Sequence, residues 1–503
     1  MERVWRVVRR GVLVIGCLLL LGSTRGLAAV GAAPAGLSLP ELNCYRSIEA
    51  VYARAEALVK LYPNLAAWVD IGDSWEKTQD PAAGWDMRVL RLTNKAITGE
   101  KPDMVLVGGL QALDLAGTEL SLRFAEKLLV DYATAYKSRW ILDQTEIHLI
   151  LLANPDGRER VEQNLGALSD PASRTAIWNK NTHAFSCIAP GELDGVSLNH
   201  NFGYQWNTVA EPACGALYQG QSAVSEPETQ AIQDYLETVF GRAMDANRPV
   251  MPADASGLVI NLTSYGYFLH APEALAKDPA ALASQLTLLR FRAQGTAGLA
   301  LPAETPPRLA GSLVGFTYGG LGVPTLNWHI GYKQDNTFPV CVSSQEPPYL
   351  EDALQIFTRA ARLAAQPLVY AQGPEVTSLS AGVVFSGNRI SYEILGRASS
   401  VLPGYLPGPG DPLPAPIKSV RYAIDLAPWQ SPMWKPLTFT EISSEPGSVL
   451  FDLQMQDSEL PDGEHTLYFQ ALDDHGIAGM PAAVTLSFTS LPANTLYLPA
   501  IGK

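Results

Sequence analysis

The chain changes its pattern near Gln372, and that change constrains the fold more than any other feature. Between Leu39 and Gln372, segments with helical periodicity alternate with short apolar runs of strand type. Ser47–Tyr62 and Glu119–Tyr136 have the helical spacing. Arg88–Leu92, Met104–Gly108, Glu146–Ala153, Leu258–Leu262 and Thr325–Ile330 read as strands. Asn154-Pro-Asp-Gly157 is a turn signal. Ser225–Val239 reads as a helix opened by a capping box, with Glu228 three residues after Ser225. Such alternation predicts an α/β sandwich around a mainly parallel or mixed sheet.

Beyond Gln372 the helical patterns vanish. A Pro/Gly-rich stretch at 403–416 is followed by alternating runs at Lys418–Leu426, His465–Leu472 and Ala483–Phe488, with a turn at Leu460-Pro-Asp-Gly463. This spacing predicts a small antiparallel β-sandwich over residues 373–490, followed by a tail at 491–503. The segment from Leu460 to Gly476 resembles the final strands of immunoglobulin-like or fibronectin type III-like modules.

Residues 1–29 have the form of a secretory signal peptide. Arg3, Arg6, Arg9 and Arg10 precede an apolar run from Gly11 to Gly22, and small residues follow around Ala28-Ala29. Removing this segment takes away five arginines and one glutamate, lowering the formal net charge from −14 to −18. The expected mature protein is secreted and acidic, which argues against nucleic acid as its main partner. It has no apolar run of membrane-spanning length. Cys44, Cys187, Cys214 and Cys341 remain in an oxidising compartment, an even number suited to two disulfides.

A series of short motifs then occurs in order: Asp70-Ile-Gly-Asp-Ser-Trp75, Gly108-Gly109, Asn154-Pro-Asp-Gly157, Trp178, Gly195-Val-Ser-Leu-Asn-His-Asn-Phe202, Ser225-Glu-Pro-Glu-Thr229 and Ser264-Tyr265. In order and spacing the series resembles the zinc carboxypeptidase family typified by carboxypeptidase A. The resemblance implies a carboxypeptidase A-like α/β/α sandwich over residues 39–372 and a disulfide between Cys187 and Cys214. Cys44 and Cys341 are then left to form a second.

The same resemblance implies that the chemistry is altered. Family members hold zinc with the His and Glu of a His-x-x-Glu motif and a distant His before Ser-Tyr. Here Gln111, Asp114 and Thr263 stand at those positions. Zinc favours imidazole, thiolate and carboxylate, so only Asp114 is an ordinary ligand type. His329 occupies the general-base position and Asn179 that of the carbonyl-polarising arginine. At the substrate-binding positions Asn199 persists, His200 replaces the carboxylate-binding arginine, and Val314 aligns with the base of the specificity pocket. Pro307 lies nearest the phenolic tyrosine position.

Losing a Lewis acid, a general base and carbonyl polarisation together removes terms each worth orders of magnitude in rate. The expectation is a catalytically degenerate protein that expects no cofactor and retains a cleft for peptide or protein C-termini. The alternative is an active metallocarboxypeptidase with an altered zinc site. Two further readings of the converging residues are a Thr263–His329–Asp114 nucleophile arrangement and a metal held by Asp114 and His329, with or without Gln111. Against both stands a polar cluster that satisfies itself after metal loss. Asn261-Leu-Thr263 matches a glycosylation sequon but falls in an expected inner strand, which makes a chance match the better reading.

Overall fold

A computed structural model describes residues 44–164, 178–187, 194–206, 211–243, 245, 251–264, 266–299, 308–331, 347–386, 389–407 and 413–488. The expected signal peptide, the C-terminal tail, Tyr265, Pro307 and Cys341 lie outside these residues.

The first region is built on a seven-stranded sheet of order β1-β2-β4-β3-β5-β7-β6. Its strands are β1 (Ala66–Asp73), β2 (Asp86–Leu92), β3 (Asp103–Val107), β4 (Glu146–Ile150), β5 (Leu258–Ser264), β6 (Phe268–His270) and β7 (Thr325–Ile330). Pairings β4–β3, β3–β5 and β5–β7 are parallel, whereas β1–β2, β2–β4 and β7–β6 are antiparallel, so the sheet is mixed. The central strands read as continuous apolar runs because both faces are covered. Met104, Leu106, Leu258 and Ile260 enter one core cluster, while Val105, Val107 and Val259 enter another.

Several boundaries differ from the sequence reading. The long helix expected over Glu119–Tyr136 is instead two, α3 (Leu115–Asp131) and α4 (Tyr136–Gln144). They follow α1 (Ile48–Leu61) and α2 (Trp75–Gln79). Asn154-Pro-Asp-Gly157 is not a free turn but the start of α5 (Pro155–Gln163). Asn154 Oδ1 accepts from Gly157 N at 3.1 Å, and Pro155 takes the first turn, where its missing N–H costs nothing. The capping box at Ser225 does not form. The helix α6 (Pro227–Phe240) begins after Glu226; the Ser225 hydroxyl donates to Glu226 Oε1, and Glu228 Oε1 accepts from Trp75 N instead. The remaining helices are α7 (Ala280–Gln294), α8 (Leu350–Leu363) and α9 (Pro367–Gln372). Among the described residues, no helix is long and apolar enough to cross a membrane.

From Glu375 onward the described chain is β-rich, in two four-stranded antiparallel sheets of order β11-β10-β14-β15 and β12-β13-β9-β8. The long members are β8 (Glu375–Ser386), β9 (Arg389–Ser399), β10 (Ile417–Ile424), β13 (Ser448–Gln456), β14 (Gly463–Asp473) and β15 (Ala482–Phe488). The short ones are β11 (Lys435–Leu437) and β12 (Phe439–Glu441). Residues Ile394, Phe451, Leu467 and Phe469 form the core between the sheets.

The two regions share packing. Leu402, Tyr405, Tyr468, Met480 and Ala483 from the sandwich join the same apolar cluster as Trp140 and Leu368 of the α/β region. Arg292, Arg359 and Arg362 surround the buried Glu375 at the first residue of β8. Burial alone would raise the Glu375 pKa, but these three guanidinium groups hold it below the ordinary carboxylate range.

Candidate functional site

Several of the expected site residues gather where β3, β5 and β7 end. Gly108 and Gly117 let the β3–α3 connection press close. A side chain on Gly108 would meet Gly117 C at 3.0 Å, and one on Gly117 would meet Leu262 Cβ at 2.9 Å. This approach carries Asp114, the residue before α3, onto the end of β5. Its Oδ1 accepts from Ser264 N at 2.8 Å, while its Oδ2, also buried, has no hydrogen-bond partner. Burial pushes the carboxyl up to about 7, with hydrogen bonds from Ser264 and Gln111 opposing the shift. Gln111 is half-buried in the same connection, where its carbonyl accepts from Asp114 N.

Parallel pairing of β5 with β7 sets Thr263 directly opposite His329. Thr263 Oγ1 lies 3.3 Å from His329 Nδ1, and Asn327 Nδ2 lies 2.6 Å from His329 Nε2. Asn327 has its carbonyl oxygen engaged by Asn261 Nδ2 at 2.7 Å, so it offers an N–H to the imidazole. His329 is thus held by both ring nitrogens, between Thr263 and Asn327. Asp114 binds Ser264 N, whereas the ring nitrogen of His329 away from Thr263 faces Asn327. The orienting contact of a Thr–His–Asp arrangement is thus not made. Asn261 is only 1% exposed within this ladder, which fits the chance reading of its sequon.

Phe268 packs against His329 with ring centroids 4.4 Å apart, and His270 lies beyond at 5.9 Å. Burial, together with His329 and Arg290, lowers His270 to about 4. Two imidazoles, two amides and a hydroxyl line this end of the sheet.

The remaining expected site residues come from loops. Asn179 exposes its side chain, while its carbonyl lies 3.4 Å from Ala112 N beside Gln111. Next to it Trp178 is buried beneath the Arg160 guanidinium, 3.5 Å from the ring centroid. Asn199 spends its side-chain oxygen on Leu313 N at 3.1 Å. His200 Nδ1 lies 2.8 Å from Ser197 Oγ, and burial with the nearby Arg308 lowers its pKa to about 4, so it is neutral at pH 7. Val314 is buried immediately before a π-helical turn at Gly315–Leu321. Cys187 and Cys214 form the expected disulfide; Cys44 is also disulfide-bonded, and Cys341 lies outside the described residues.

Sequence reading missed the polar frame beneath these loops. Asn181 donates to Glu226 Oε2 at 2.7 Å and to Glu228 Oε2 at 3.3 Å, and its own oxygen accepts from Val196 N at 2.8 Å. His183 lies 2.9 Å from the same Glu226 oxygen and stacks on Trp75. Asp156 accepts from Ser74 Oγ at 2.6 Å and Glu76 N at 2.8 Å. The motifs at 70–75, 154–157 and 225–229 thus bind one another. Their available signal was a set of acidic residues inside otherwise apolar elements, which a buried network explains better than chemistry.

Together these residues fail to fit a zinc ion. Gln111 and Thr263 supply an amide and a hydroxyl, and Asp114 has one oxygen committed and a carboxyl that burial keeps largely protonated below pH 7. Among the described residues, ligand atoms of three acidic or histidine side chains converge only at Asp473, Asp474 and His475, in the β14–β15 connection.

The mixed sheet, framed by these motifs, defines a carboxypeptidase-like α/β domain. Residues 51–295 match the zinc carboxypeptidase family model, and this region of the chain belongs to that family. It is 26% identical over 204 residues to the inactive metallocarboxypeptidase ECM14 of Saccharomyces cerevisiae, covering 40% of this chain and 42% of that protein. To carboxypeptidase A2 of Mus musculus it is 26% identical over 201 residues, covering 39% and 42%. The match therefore spans about two fifths of the length of these relatives. A crystal structure of thrombin activatable fibrinolysis inhibitor aligns over 64% of this chain and 74% of that one, with 18% identity and a TM-score of 0.49.

Proposed function

We propose that this chain is a secreted, catalytically degenerate carboxypeptidase-like protein whose cleft binds peptide or protein C-termini without cleaving them. The observation that carries this reading is the state of the three family ligand positions. Gln111, Asp114 and Thr263 offer an amide, a buried carboxyl bonded to Ser264 N and a hydroxyl facing His329. The imidazole at the general-base position is held between Asn327 and Thr263. The basic and apolar N-terminal segment supports export, as does the disulfide. The C-terminal sheets are read as an immunoglobulin- or fibronectin type III-like module, supported by their two antiparallel four-stranded layers.

Metal analysis of the purified full chain after dialysis against zinc tests the reading. Well below one zinc per chain is expected, with no release of C-terminal amino acids from N-blocked dipeptides. About one zinc per chain, lost to a chelator together with such activity, would establish the alternative, an active metallocarboxypeptidase with an altered zinc site. The unpartnered Asp114 Oδ2 is the one observation that favours that alternative.

A further inference from the structure

A groove of about 970 Å³ runs between α8 and the sheet formed by β8, β9 and β13, where the α/β region meets the sandwich. None of the expected site residues lines it. Its charges are unevenly placed. Glu351 and Asp352 stand in the first turn of α8, whereas Arg359 and Arg362 stand about 10–15 Å further along the helix axis. Elsewhere in the groove Arg397 pairs with Glu445, and Lys127 pairs with Asp131 at 2.8 Å.

At the arginine end the cations outnumber the acids. Arg292, Arg359 and Arg362 share the carboxylate of Glu375, three guanidinium groups against one anion. Further donors go to backbone: Arg292 to Gly373 O at 2.7 Å, Arg359 to Arg292 O at 2.6 Å, and Arg362 to Val376 O and Pro481 O, both at 2.9 Å. Carbonyl groups satisfy donors without cancelling net charge. Lys137, the second residue of α4, adds a fourth cation. With Arg362, Thr377 and Ser378 it lines both this groove and a small recess beside Trp140 and Leu379. Its ammonium lies 6.0 Å from the Tyr136 ring centroid and makes no ion pair among the described residues. Desolvation lowers its pKa, Arg362 and Arg359 add to that effect, and Glu375 opposes it. The helix α4 also opens without a side-chain cap at Ala135 and with no acid in its first turn, so the positive end of its dipole meets a cation where an anion is favoured.

We propose that the Lys137 end of this groove is a binding site for a small ligand carrying an oxyanion, a phosphate or carboxylate group. The Lys137 ammonium and the Ser378 hydroxyl supply donors, and Arg359 keeps guanidinium protons beyond those bound to Glu375 and Arg292 O. An oxyanion there offsets the excess positive charge that Glu375 alone leaves. Glu351 and Asp352 at the far end, and the formal net charge of −14, disfavour an extended polyanion, so the ligand is small. Held there, it joins α4 and α8 of one region to β8 of the other.

The test is calorimetric titration of the full chain with inorganic phosphate and, separately, with citrate, at fixed ionic strength. Saturable binding of at least one is expected, and the two arms tell phosphate from carboxylate recognition. A saturating concentration of the binding anion is expected to raise the thermal midpoint. Lys137→Gln is expected to weaken binding about tenfold, the effect of losing one charged hydrogen bond. Lys137→Arg keeps the charge and is expected to retain binding; it serves as the comparison if the glutamine variant unfolds early in a thermal scan. Lys60→Gln changes an exposed lysine outside the groove and is expected to leave binding unaltered. Absence of saturable binding by both anions would overturn the proposal. So would an unchanged affinity in Lys137→Gln, or an equal loss in Lys137→Gln and Lys60→Gln, which would mark a general effect of charge.

Discussion

At the scale of single residues, Thr263, His329 and one oxygen of Asp114 are engaged in the protein's own hydrogen bonding. Thr263, His329, Asn327 and Asn261 form a cross-strand ladder, and Asp114 ties α3 to the end of β5. The Asp114 carboxyl has a measurable signature. Its folded pKa of about 7 lies above the ordinary 3.8, so its protonated form is the one the fold favours. Its contribution to stability is complete below the ordinary value and is lost as pH rises through about 7, with a ceiling of about 4 kcal/mol. Asp114→Asn keeps the acceptor for Ser264 N and cannot ionise. Urea unfolding between pH 4 and pH 8 is expected to show a smaller fall in stability for the variant than for the parent. Parallel curves for the two proteins would refute the assignment.

At the scale of elements, the loop that carries Trp178, Asn179, Asn199 and His200 has no long helix or strand of its own among the described residues. It is held by the Asn181 network and by the Cys187–Cys214 disulfide, which closes a separation of 27 residues. In the chain-entropy model a loop of that length corresponds to about 3 to 4 kcal/mol. A Cys187→Ser, Cys214→Ser double variant is therefore expected to unfold at markedly lower urea concentration than the oxidised parent. A midpoint within error of the parent would mean that the polar network alone holds the loop. The same scale explains why Asn154-Pro-Asp-Gly157 reads as a turn yet starts a helix: an asparagine cap and an early proline serve either purpose, and only the following residues decide.

At the scale of the whole molecule, the α/β region and the sandwich are joined by apolar contacts and by one buried charge. Trp140 and Leu368 share a cluster with Tyr405, Tyr468 and Met480, and Glu375 is enclosed by three arginines drawn from α7 and α8. Glu375→Gln removes the anion and leaves three cations together in a buried place. A cost of about 3–5 kcal/mol is expected. Because the core is shared, that loss should lower one common unfolding transition, followed by calorimetry. Two separated transitions in the parent would show that the regions fold independently.

The architecture was legible in the sequence because apolar periodicity reports burial directly. Leu258–Leu262 and Thr325–Ile330 read as buried strands and are strands, and the alternating runs after Gln372 pair into antiparallel sheets. That Gln111 and Thr263 carry an amide and a hydroxyl was equally legible, since the chemical nature of a side chain needs no coordinates. The direction of a hydrogen bond and the neighbours of a charge were not. Only the pairing of β5 with β7 sets Thr263 beside His329, and only the packing of 311–313 on 199–204 brings Leu313 to Asn199, more than a hundred residues away in the chain. Sequence determined which groups this end of the sheet contains. Tertiary structure decided which of them are already satisfied, because hydrogen bonds and desolvation depend on distances that the order of residues does not set.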